Sequence, residues 1–440
     1  MNQVEISIVP EEPILEKLLA VAKGFDTFCI LNSNDFYNSI AKHAAPLYHD
    51  FDIVAAFGAL KVCKPETSEQ NDFFELLHQF HQVENSPLFG YFSYDLKNQI
   101  EKLNSDNQDN IGLPEAYFFI PEYIIWIKEN KAVIQSFTEL LPMDFYQNLM
   151  RQEWEHKQAE HHSNSELCSR FSKEEYIQTV EALRNEIIAG EVYEISFCQE
   201  FFIENILISP TELYLDLMKI SPNPFSAFLK MEGKYIICSS MERFLKKEGN
   251  KLVSQPIKGT IRKSVNPEED QILIQTLKND EKERAENVMI VDLVRNDLAK
   301  SSKPGSVKVE ELFGIYPFSQ VHQMISTISS ELRPEVPWTE AIKNAFPMGS
   351  MTGAPKISAM KLLEQFERSK RGVFSGAIGY INEVGDFDFN VVIRTLIYHS
   401  HAQYLSVHVG SAITYDSIPE KEFEECMVKI SGIKKALKIS

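Results

Sequence analysis

Short strand-like runs joined by tight turns are the feature that most limits how this 440-residue chain can fold. The runs PFSAFLKM, KYIICSS and NKLVSQPIK are rich in the β-branched and aromatic residues that strands favour. The turns among them are Glu232-Gly233 and Glu248-Gly249-Asn250, a chemistry that joins antiparallel neighbours. The pattern therefore predicts antiparallel meanders and not an alternating parallel sheet.

Helical signals accompany these strands. Ser172-x-x-Glu175 is a capping box, and the apolar residues that follow it keep helical spacing until Gly190. Ser417-x-x-Glu420 is a second capping box and predicts another helix start. The segment 283–300 also indicates a helix, with Ala285, Val288, Met289 and Leu293 expected on its buried face. Together the helices and meanders predict an α+β protein with large mixed or antiparallel sheets.

A polar stretch at 151–170 is the best candidate for a junction within the chain. We expect an N-terminal region at 1–165 and a second region at 166–440, where the sequence signals are sharper. His161-His162 lies in this stretch without cysteine or carboxylate ligands at a recognisable spacing, so we interpret it as solvated linker. The strand-like YFSYDL and AYFFIPEYIIWI in the N-terminal region suggest that both regions form one integrated body.

The acidic composition limits the ligands that the chain can bind. A formal net charge of −19 argues against binding to nucleic acid, which needs a basic surface. No apolar run approaches the roughly 20 residues of a membrane span, and the six scattered cysteines fit a reducing cytoplasm. If the ligand is an anion, local cations or a metal must overcome the field of the protein.

One turn brings an amine towards a carboxylate. If the turn centres on residues 249 and 250, antiparallel pairing sets Glu242 opposite Ile257, within one residue of Lys258, and a three-residue turn would oppose Glu242 and Lys258 directly. The two side chains could form a solvated cross-strand salt bridge, or a general acid beside an amine nucleophile.

Further carboxylates lie near the C-terminus. Glu422, Glu425 and Lys429 fall on one flank of the helix predicted there, and paired glutamates are suitable oxygen ligands for Mg²⁺. Glu286 on the helix predicted at 283–300 is another candidate ligand. For an isolated pair of glutamates, a solvated acidic helix face is the commoner explanation.

Nine ordered blocks across 170–440 resemble one enzyme family. They include AGEVYEISF, SSMERF, QPIKGTIRK, DEKERAENVMIVDLVRNDL, FPMGSMTGAPKISAM and SIPEKEFEECMVK. The family is the chorismate-utilising enzymes, which comprise the anthranilate synthase and aminodeoxychorismate synthase large subunits and, more distantly, the isochorismate and salicylate synthases. The resemblance implies the anthranilate-synthase-type α+β fold.

The lysine at position 258 indicates which branch of this family the chain most resembles. Anthranilate synthases typically carry alanine at this position, whereas aminodeoxychorismate synthases often carry lysine in Pro-Ile-Lys-Gly-Thr. Isochorismate and salicylate synthases place a base lysine where this chain has Glu194, and amino-adding members often have glutamine there. The chain therefore most resembles the component I branch of aminodeoxychorismate synthases. Anthranilate synthase component I is the nearest alternative, and a non-catalytic chorismate-binding regulatory subunit is an alternative of another class.

The resemblance assigns expected roles to individual residues. Glu242 would be the general acid, and Lys258 a nucleophile whose pKa is lowered by its surroundings. Glu286 and Glu425, with Glu422 nearby, would hold Mg²⁺. Arg394 would grip one carboxylate of chorismate. Further substrate contacts are expected in a small, focused positive pocket, at Gly259, Thr260, His322, Gly410, Ser411 and Lys429.

Partners and departures follow from the same resemblance. The chain has no cysteine in a glutaminase setting, so we expect ammonia from a separate glutamine amidotransferase subunit. Relatives also bind tryptophan in the N-terminal region, where FCILNSNDF (28–36) occupies the corresponding place. Phe374 stands where tyrosine is usual, and HVGSAI replaces a more glycine-rich turn around Gly410, Ser411 and Ala412.

Overall fold

A computed structural model describes residues 2–8, 12–36, 50–65, 72–154 and 166–439 of the chain. Within these residues the backbone forms two large antiparallel sheets flanked by helices. The α+β class expected from the sequence is confirmed. The His161-His162 pair lies outside the described residues.

The first sheet has twelve strands in the described part of the chain. Its order is β1-β8-β7-β3-β2-β11-β12-β21-β22-β10-β18, with β9 beside β10. The strands are β1 (Asn2–Ser7), β2 (Phe28–Asn32), β3 (Ile53–Phe57), β7 (Tyr123–Lys128), β8 (Lys131–Ser136), β9 (Cys168–Ser169), β10 (Glu194–Ile203), β11 (Phe225–Met231), β12 (Lys234–Ser240), β18 (Gly353–Ala354), β21 (Thr395–His399) and β22 (Tyr404–Ile413).

The second sheet has ten described strands. Its order is β15-β17-β14-β13-β20-β19-β5-β6-β4, with β16 beside β17. The strands are β4 (Lys61–Cys63), β5 (Leu88–Phe92), β6 (Ala116–Ile120), β13 (Arg243–Glu248), β14 (Lys251–Gln255), β15 (Ile257–Arg262), β16 (Lys308–Pro317), β17 (Val321–Glu331), β19 (Ala377–Ile381) and β20 (Phe387–Asn390).

Eleven α-helices cover the outer faces of these sheets in the described residues. They are α1 (Ile14–Ala22), α2 (Phe73–Glu84), α3 (Lys97–Glu101), α4 (Pro142–Arg151), α5 (Lys173–Ala189), α6 (Pro210–Ile220), α7 (Pro267–Asn279), α8 (Glu281–Ala299), α9 (Trp338–Ala345), α10 (Lys356–Phe366) and α11 (Pro419–Leu437). No helix among them is long and apolar enough to cross a membrane.

Alternating side chains build a layered core. On β2, Phe28 and Ile30 pack towards the helices, while Cys29 and Leu31 face the second sheet. On β5, Phe89 meets that inner layer and Leu88 faces outward into a third cluster. Successive strand residues point to opposite faces, so each fully buried strand serves two apolar layers. The sheets therefore pack face to face, with helices outside.

Both sheets draw strands from either side of residue 166. β2 pairs with β11 in the first sheet, and β5 pairs with β19 in the second. The two regions named from the sequence therefore share their sheets, as the strand-like N-terminal runs suggest.

The chain passes from one sheet to the other between β12 and β13. Both predicted hairpins are present, β11–β12 around Glu232-Gly233 and β13–β14 around Gly249-Asn250. They belong to different sheets, however, so the meander is not continuous. The crossing falls at Met241-Glu242, which sets Glu242 at the gap between the sheets.

Two local expectations about helices are wrong. The capping box at Ser172 forms. The helix start predicted after Ser417 is confirmed, because α11 begins at Pro419, but the capping box there is not: Ile418 is the N-cap residue, and the Ser417 hydroxyl accepts a hydrogen bond from the amide of Thr414 instead. Helix α8 buries a different face from the one expected. Ala285 and Val288 are exposed and Met289 and Leu293 are only half-buried, whereas the buried positions are Asn287, Ile290, Val291, Val294, Asp297 and Leu298. The buried face includes two polar residues that have partners, so the apolar pattern alone misplaced it.

Candidate active site

A cavity of about 440 Å³ lies where β10 and β22 of the first sheet approach β15 of the second. Its volume is in the range of small-molecule sites. Helices α8 and α11 complete the wall. Eleven of the twelve residues that the sequence predicts for the site line this cavity: Glu242, Lys258, Gly259, Thr260, Glu286, Arg394, Gly410, Ser411, Glu422, Glu425 and Lys429.

A β-bulge presents Lys258 to the cavity. Ile257 lies opposite Ile325 and Thr260 opposite Gln323, so Lys258 and Gly259 together face a single residue of β17. Gly259 has φ +99°, and a Cβ there would lie 3.1 Å from the Cβ of Met324. Such a bulge needs glycine, and it redirects the preceding side chain. This explains why the lysine directly precedes a glycine.

Glu242 reaches the cavity from the crossing between the sheets. The β13–β14 turn has two residues, but the register shifts between Arg243 and Lys246, which leaves Arg243 opposite Gln255. Glu242 therefore falls level with Pro256, one position from where the hairpin count places it. The amide of Ile257 donates to its carboxylate, and the charge of Lys258 acts on it. The prediction that the two side chains are neighbours is confirmed.

Burial makes Glu242 a weak acid. Its side chain is buried, and burial raises its pKa to about 7. The hydroxyl of Ser350 donates to Oε1 at 2.7 Å and opposes this rise, as do Lys258 and the Ile257 amide. A carboxyl group with this pKa is substantially protonated at neutral pH and can donate a proton.

Lys258 is an ion-paired ammonium in this structure. Its Nζ donates to Glu194 Oε1 at 2.5 Å. Burial on its own would lower the pKa of Lys258, but the charges of Glu194, Glu286 and Glu242 outweigh it, and the pKa is raised. The expectation of a lowered pKa is therefore wrong for the ligand-free site, because a buried carboxylate lies against the amine.

Four glutamates gather beside Lys258 on α8 and α11. Burial raises the pKa of Glu286 to about 7 and also raises the pKa of Glu283. Burial would raise the pKa of Glu425 too, but its ion pair with Lys429 at 2.6 Å holds that pKa below its usual value. The fourth, Glu422, is buried. This arrangement concentrates negative charge in a partly desolvated place.

The donor set fits a divalent cation by its chemistry. Carboxylate oxygens are the ligands that Mg²⁺ prefers. The pKa values of Glu283 and Glu286 are raised first by burial and then by neighbouring carboxylates, and a bound cation would offset both effects. Over the residues that the structure describes, no three potential ligands stand close enough to hold a metal ion together. Glu286 and Glu425 instead contact Lys282 and Lys429.

The pocket is not the focused positive site that the resemblance implies. Its described wall carries four cationic side chains, Lys258, Lys282, Arg394 and Lys429, against five glutamates, Glu242, Glu283, Glu286, Glu422 and Glu425. A dianion would meet an excess of carboxylates unless some are protonated or neutralised by a cation.

Arg394 and Lys429 form the cationic end of the cavity. Arg394 has φ 53° and donates through Nη1 to the carbonyl of Lys429 at 3.0 Å. Lys429 Nζ donates to the carbonyl of Gly410 at 2.7 Å. A side chain at position 410 would clash with the carbonyl of Phe197, so glycine permits β10 and β22 to approach closely behind this end.

His322 is not brought to the cavity. It lies on β17 opposite Ile261, and its Nε2 contacts Asp270 Oδ1 at 2.9 Å on α7. The next residue, Gln323, lines the cavity and accepts a hydrogen bond from Thr260 at 2.7 Å. Neighbouring strand residues point to opposite faces, so only one of the two can contact the site.

The departures from the family pattern alter the wall near β22. Phe374 supplies no hydroxyl and stacks on His408, with ring centroids 5.3 Å apart. Ser411 contacts the hydroxyl of Tyr176 at 3.3 Å, which ties this part of the wall to α5.

Sequence reasoning missed three residues that contact predicted site residues. In the sequence Glu194 is only a departure from the family pattern, because its contact with Lys258 joins strands of different sheets. Ser350 lies within the block FPMGSMTGAPKISAM but gave no signal of its contact with Glu242. Gln323 follows His322 directly, and alternation along β17 would have distinguished the two only if the orientation of the strand were known.

A separate, small cavity of about 30 Å³ adjoins the segment 28–36. Its walls include Leu31, Asn32, Ser33, Ser226 and Arg243. Tryptophan binding in the N-terminal region stays a prediction.

Comparisons with known proteins agree with this fold. The aminodeoxychorismate synthase component 1 of Bacillus subtilis (strain 168) is 29% identical over 430 residues, covering 95% of this chain and 89% of that protein. The anthranilate synthase component 1 of Aquifex aeolicus (strain VF5) is 32% identical over 374 residues, with 80% and 74% covered. The crystal structure of anthranilate synthase component I from Streptococcus pneumoniae TIGR4 superposes with a TM-score of 0.76 at 26% identity, covering 89% of this chain and 93% of that one. The sequence profile of the chorismate binding enzymes matches residues 37–435, and the chain therefore belongs to that family.

Proposed function

We propose that this chorismate binding enzyme is component I of an aminodeoxychorismate synthase, which converts chorismate and ammonia to 4-amino-4-deoxychorismate. The observation that carries the proposal is Lys258 on the cavity wall beside buried Glu242. Anthranilate synthases typically have alanine at the lysine position. An amine there supplies a nucleophile that the anthranilate reaction does not need.

Glu242 acts as the general acid. The C4 hydroxyl of chorismate is a poor leaving group unless it is protonated. With a pKa raised to about 7 by burial, Glu242 holds a proton near neutral pH and gives it to the departing oxygen, which leaves as water.

Lys258 acts as the nucleophile. Its Nζ lone pair forms a bond to C2, the C1=C2 electrons move to C1=C6, the C5=C6 electrons move to C4=C5, and the C4–O bond breaks. Ammonia then adds at C4 by the reverse shift and expels Lys258 from C2. Two substitutions therefore place the new amine on the carbon that lost the hydroxyl.

Mg²⁺ is the cofactor in this proposal. Glu286 and Glu425, with Glu422 nearby, would hold it. When bound, the ion supplies positive charge for the ring carboxylate and relieves the excess of glutamates. Arg394 offers a planar fork for the other carboxylate, and Lys429 adds charge beside it.

Ammonia would come from a glutamine amidotransferase subunit, and the product would serve p-aminobenzoate and folate synthesis in the cytoplasm. The second candidate is anthranilate synthase component I, which the similarity to the Aquifex and Streptococcus proteins favours. A non-catalytic regulatory subunit fits less well, because Glu242, Glu286 and Lys258 all line the cavity.

Product identification separates these candidates. The protein is incubated with chorismate, Mg²⁺ and ammonium, and the products are separated and identified by mass spectrometry. We expect aminodeoxychorismate. Fluorescent anthranilate formed without a lyase would refute the assignment, and unchanged chorismate would favour the regulatory subunit. Omitting Mg²⁺ in the presence of a chelator is expected to abolish turnover.

Replacement of the lysine tests the covalent step. Lys258→Ala is expected to depress turnover and to remove the protein–substrate adduct seen by intact mass after acid quenching. Lys282→Ala, which removes another lysine from the same wall, is the matched control and should retain the adduct. Equal turnover by Lys258→Ala and the unaltered protein would exclude the covalent mechanism.

A further inference from the structure

Glu194 has a buried carboxylate that accepts a hydrogen bond from Lys258, the proposed nucleophile. It begins β10, where it pairs with Ala354 of β18, and its side chain is 1% exposed. One oxygen, Oε1, accepts from Lys258 Nζ at 2.5 Å. The other, Oε2, is buried without a hydrogen-bond partner among the described residues. Among these residues, therefore, the Lys258 ammonium is the donor that stabilises the ionised carboxylate, and a proton can pass to it along that hydrogen bond.

Such a pair is poor evidence for a purely structural role. A buried ion pair rarely repays the cost of removing both charges from water, and an unpaired buried oxygen adds to that cost. Glu200, six residues along the same strand, shows what a structural carboxylate looks like here. It accepts from Arg170, Tyr404 and Ser406, so that both of its oxygens are satisfied.

Several other acidic groups act on Lys258 from elements around it. Glu242 precedes β13, and the rest lie on α8 and α11, namely Glu283, Glu286 and Glu425. Glu242 has to keep its proton for the leaving hydroxyl, and the α8 and α11 carboxylates are the proposed cation ligands. Glu194 has neither task and is in direct contact with the amine.

We propose that Glu194 is the positioning residue of Lys258, holding it as an ion pair in the resting enzyme and receiving its proton when the amine attacks chorismate. The inference rests on the proposed function. The proton moves from Nζ to the Glu194 carboxylate along the existing hydrogen bond, which leaves a neutral amine and a neutral acid. The N–C2 bond then forms as water leaves C4, and nitrogen carries the positive charge. When ammonia expels the lysine, the N–C2 pair returns to Nζ and Glu194 gives the proton back.

This transfer has a consequence for pH dependence. The ammonium–carboxylate pair and the amine–acid pair contain the same number of protons, so converting one to the other takes no proton from solvent. Without the carboxylate, the reactive amine forms only by loss of a proton to water. The rate then rises tenfold per pH unit below the pKa of the lysine.

Adduct formation in the absence of ammonium tests this, because no titrating co-substrate is present. The rate at which chorismate forms the adduct is measured by quenched intact mass from pH 5.5 to 6.5. We expect less than about a twofold change for the unaltered protein and about a tenfold rise for Glu194→Gln. Glu200→Gln, a buried glutamate of the same strand, should behave as the unaltered protein does. Parallel profiles for Glu194→Gln and the unaltered protein would overturn the proposal.

A second measurement needs no turnover. Lys258 is labelled at pH 8 with acetic anhydride and quantified by peptide mass spectrometry in the ligand-free protein. Removing the carboxylate frees the amine, so labelling should be at least about tenfold faster in Glu194→Gln and unchanged in Glu200→Gln. Unchanged labelling of Glu194→Gln would also overturn the proposal. If anthranilate were the product, the proposed function would fail while this labelling result still stood, so the two failures are distinguishable.

Discussion

Replacing Glu242 with glutamine should stabilise the ligand-free protein at alkaline pH while removing its proton donor. Burial raises the pKa of this carboxyl from 4.5 to about 7. The folded state therefore binds more protons than the unfolded state between these values, and stability falls as pH rises through that window. At 1.36 kcal/mol per unit, the full loss is about 3 kcal/mol above pH 7. Glutamine cannot ionise, so the variant avoids this loss.

The assay is urea unfolding in the presence of a chelator at several pH values from 4 to 8. The difference in unfolding free energy between Glu242→Gln and the unaltered protein isolates this group, because other titrations cancel. The difference should rise by about 3 kcal/mol across the range. Glu181→Gln, on the exposed face of α5, should show no such slope. A flat or falling difference for Glu242→Gln would refute the argument that burial sets the acidity of this group.

Three further outcomes follow from the geometry of the site. Ser350→Ala removes a 2.7 Å hydrogen bond that stabilises ionised Glu242, so the pKa of Glu242 should rise. The pH at which turnover falls on the alkaline side should then increase by about one unit, and an unchanged pH profile would contradict a role for this hydrogen bond. Gly259→Ala forces φ +99° on a residue with a side chain, so we expect a loss of about 1–3 kcal/mol in urea unfolding together with reduced turnover; unaltered stability would argue against the bulge. His322→Gln should leave kcat/KM for chorismate within about threefold, whereas Arg394→Gln should lower it more than about tenfold; equal losses would show that His322 enters the cavity.

Local signals in the sequence predicted local structure well. The turns at Gly233 and Gly249 formed the expected hairpins, because glycine supplies the positive φ that such turns need. The hairpin count brought Glu242 near Lys258, but it missed the register shift after Arg243. Turn chemistry does not show which sheet a hairpin joins, and so the crossing at 241–242 was not predictable.

The sequence did not predict contacts between residues that are far apart along the chain. Glu194 and Lys258 lie on strands of different sheets, and no turn or spacing connects them. The expected acidity of Lys258 was therefore wrong. The prediction for the buried face of α8 was wrong for a related reason. Asn287 is buried on that face, and the hydrogen bond it accepts comes from Ser326 of β17, which is distant in the sequence. The family resemblance predicted most of the residues that line the cavity, but it could not show that the side chain of His322 lies outside it.

The interleaving of the two regions has a consequence for how the enzyme can be divided. Cutting the chain near residue 166 would strip β2 from β11 and β5 from β19. Each fragment would then expose long hydrophobic strand edges, which invite aggregation, and co-production would be needed to recover a soluble complex. The cavity thus forms only when strands from distant parts of the sequence pair with one another. A topology with so many long-range strand pairings folds slowly.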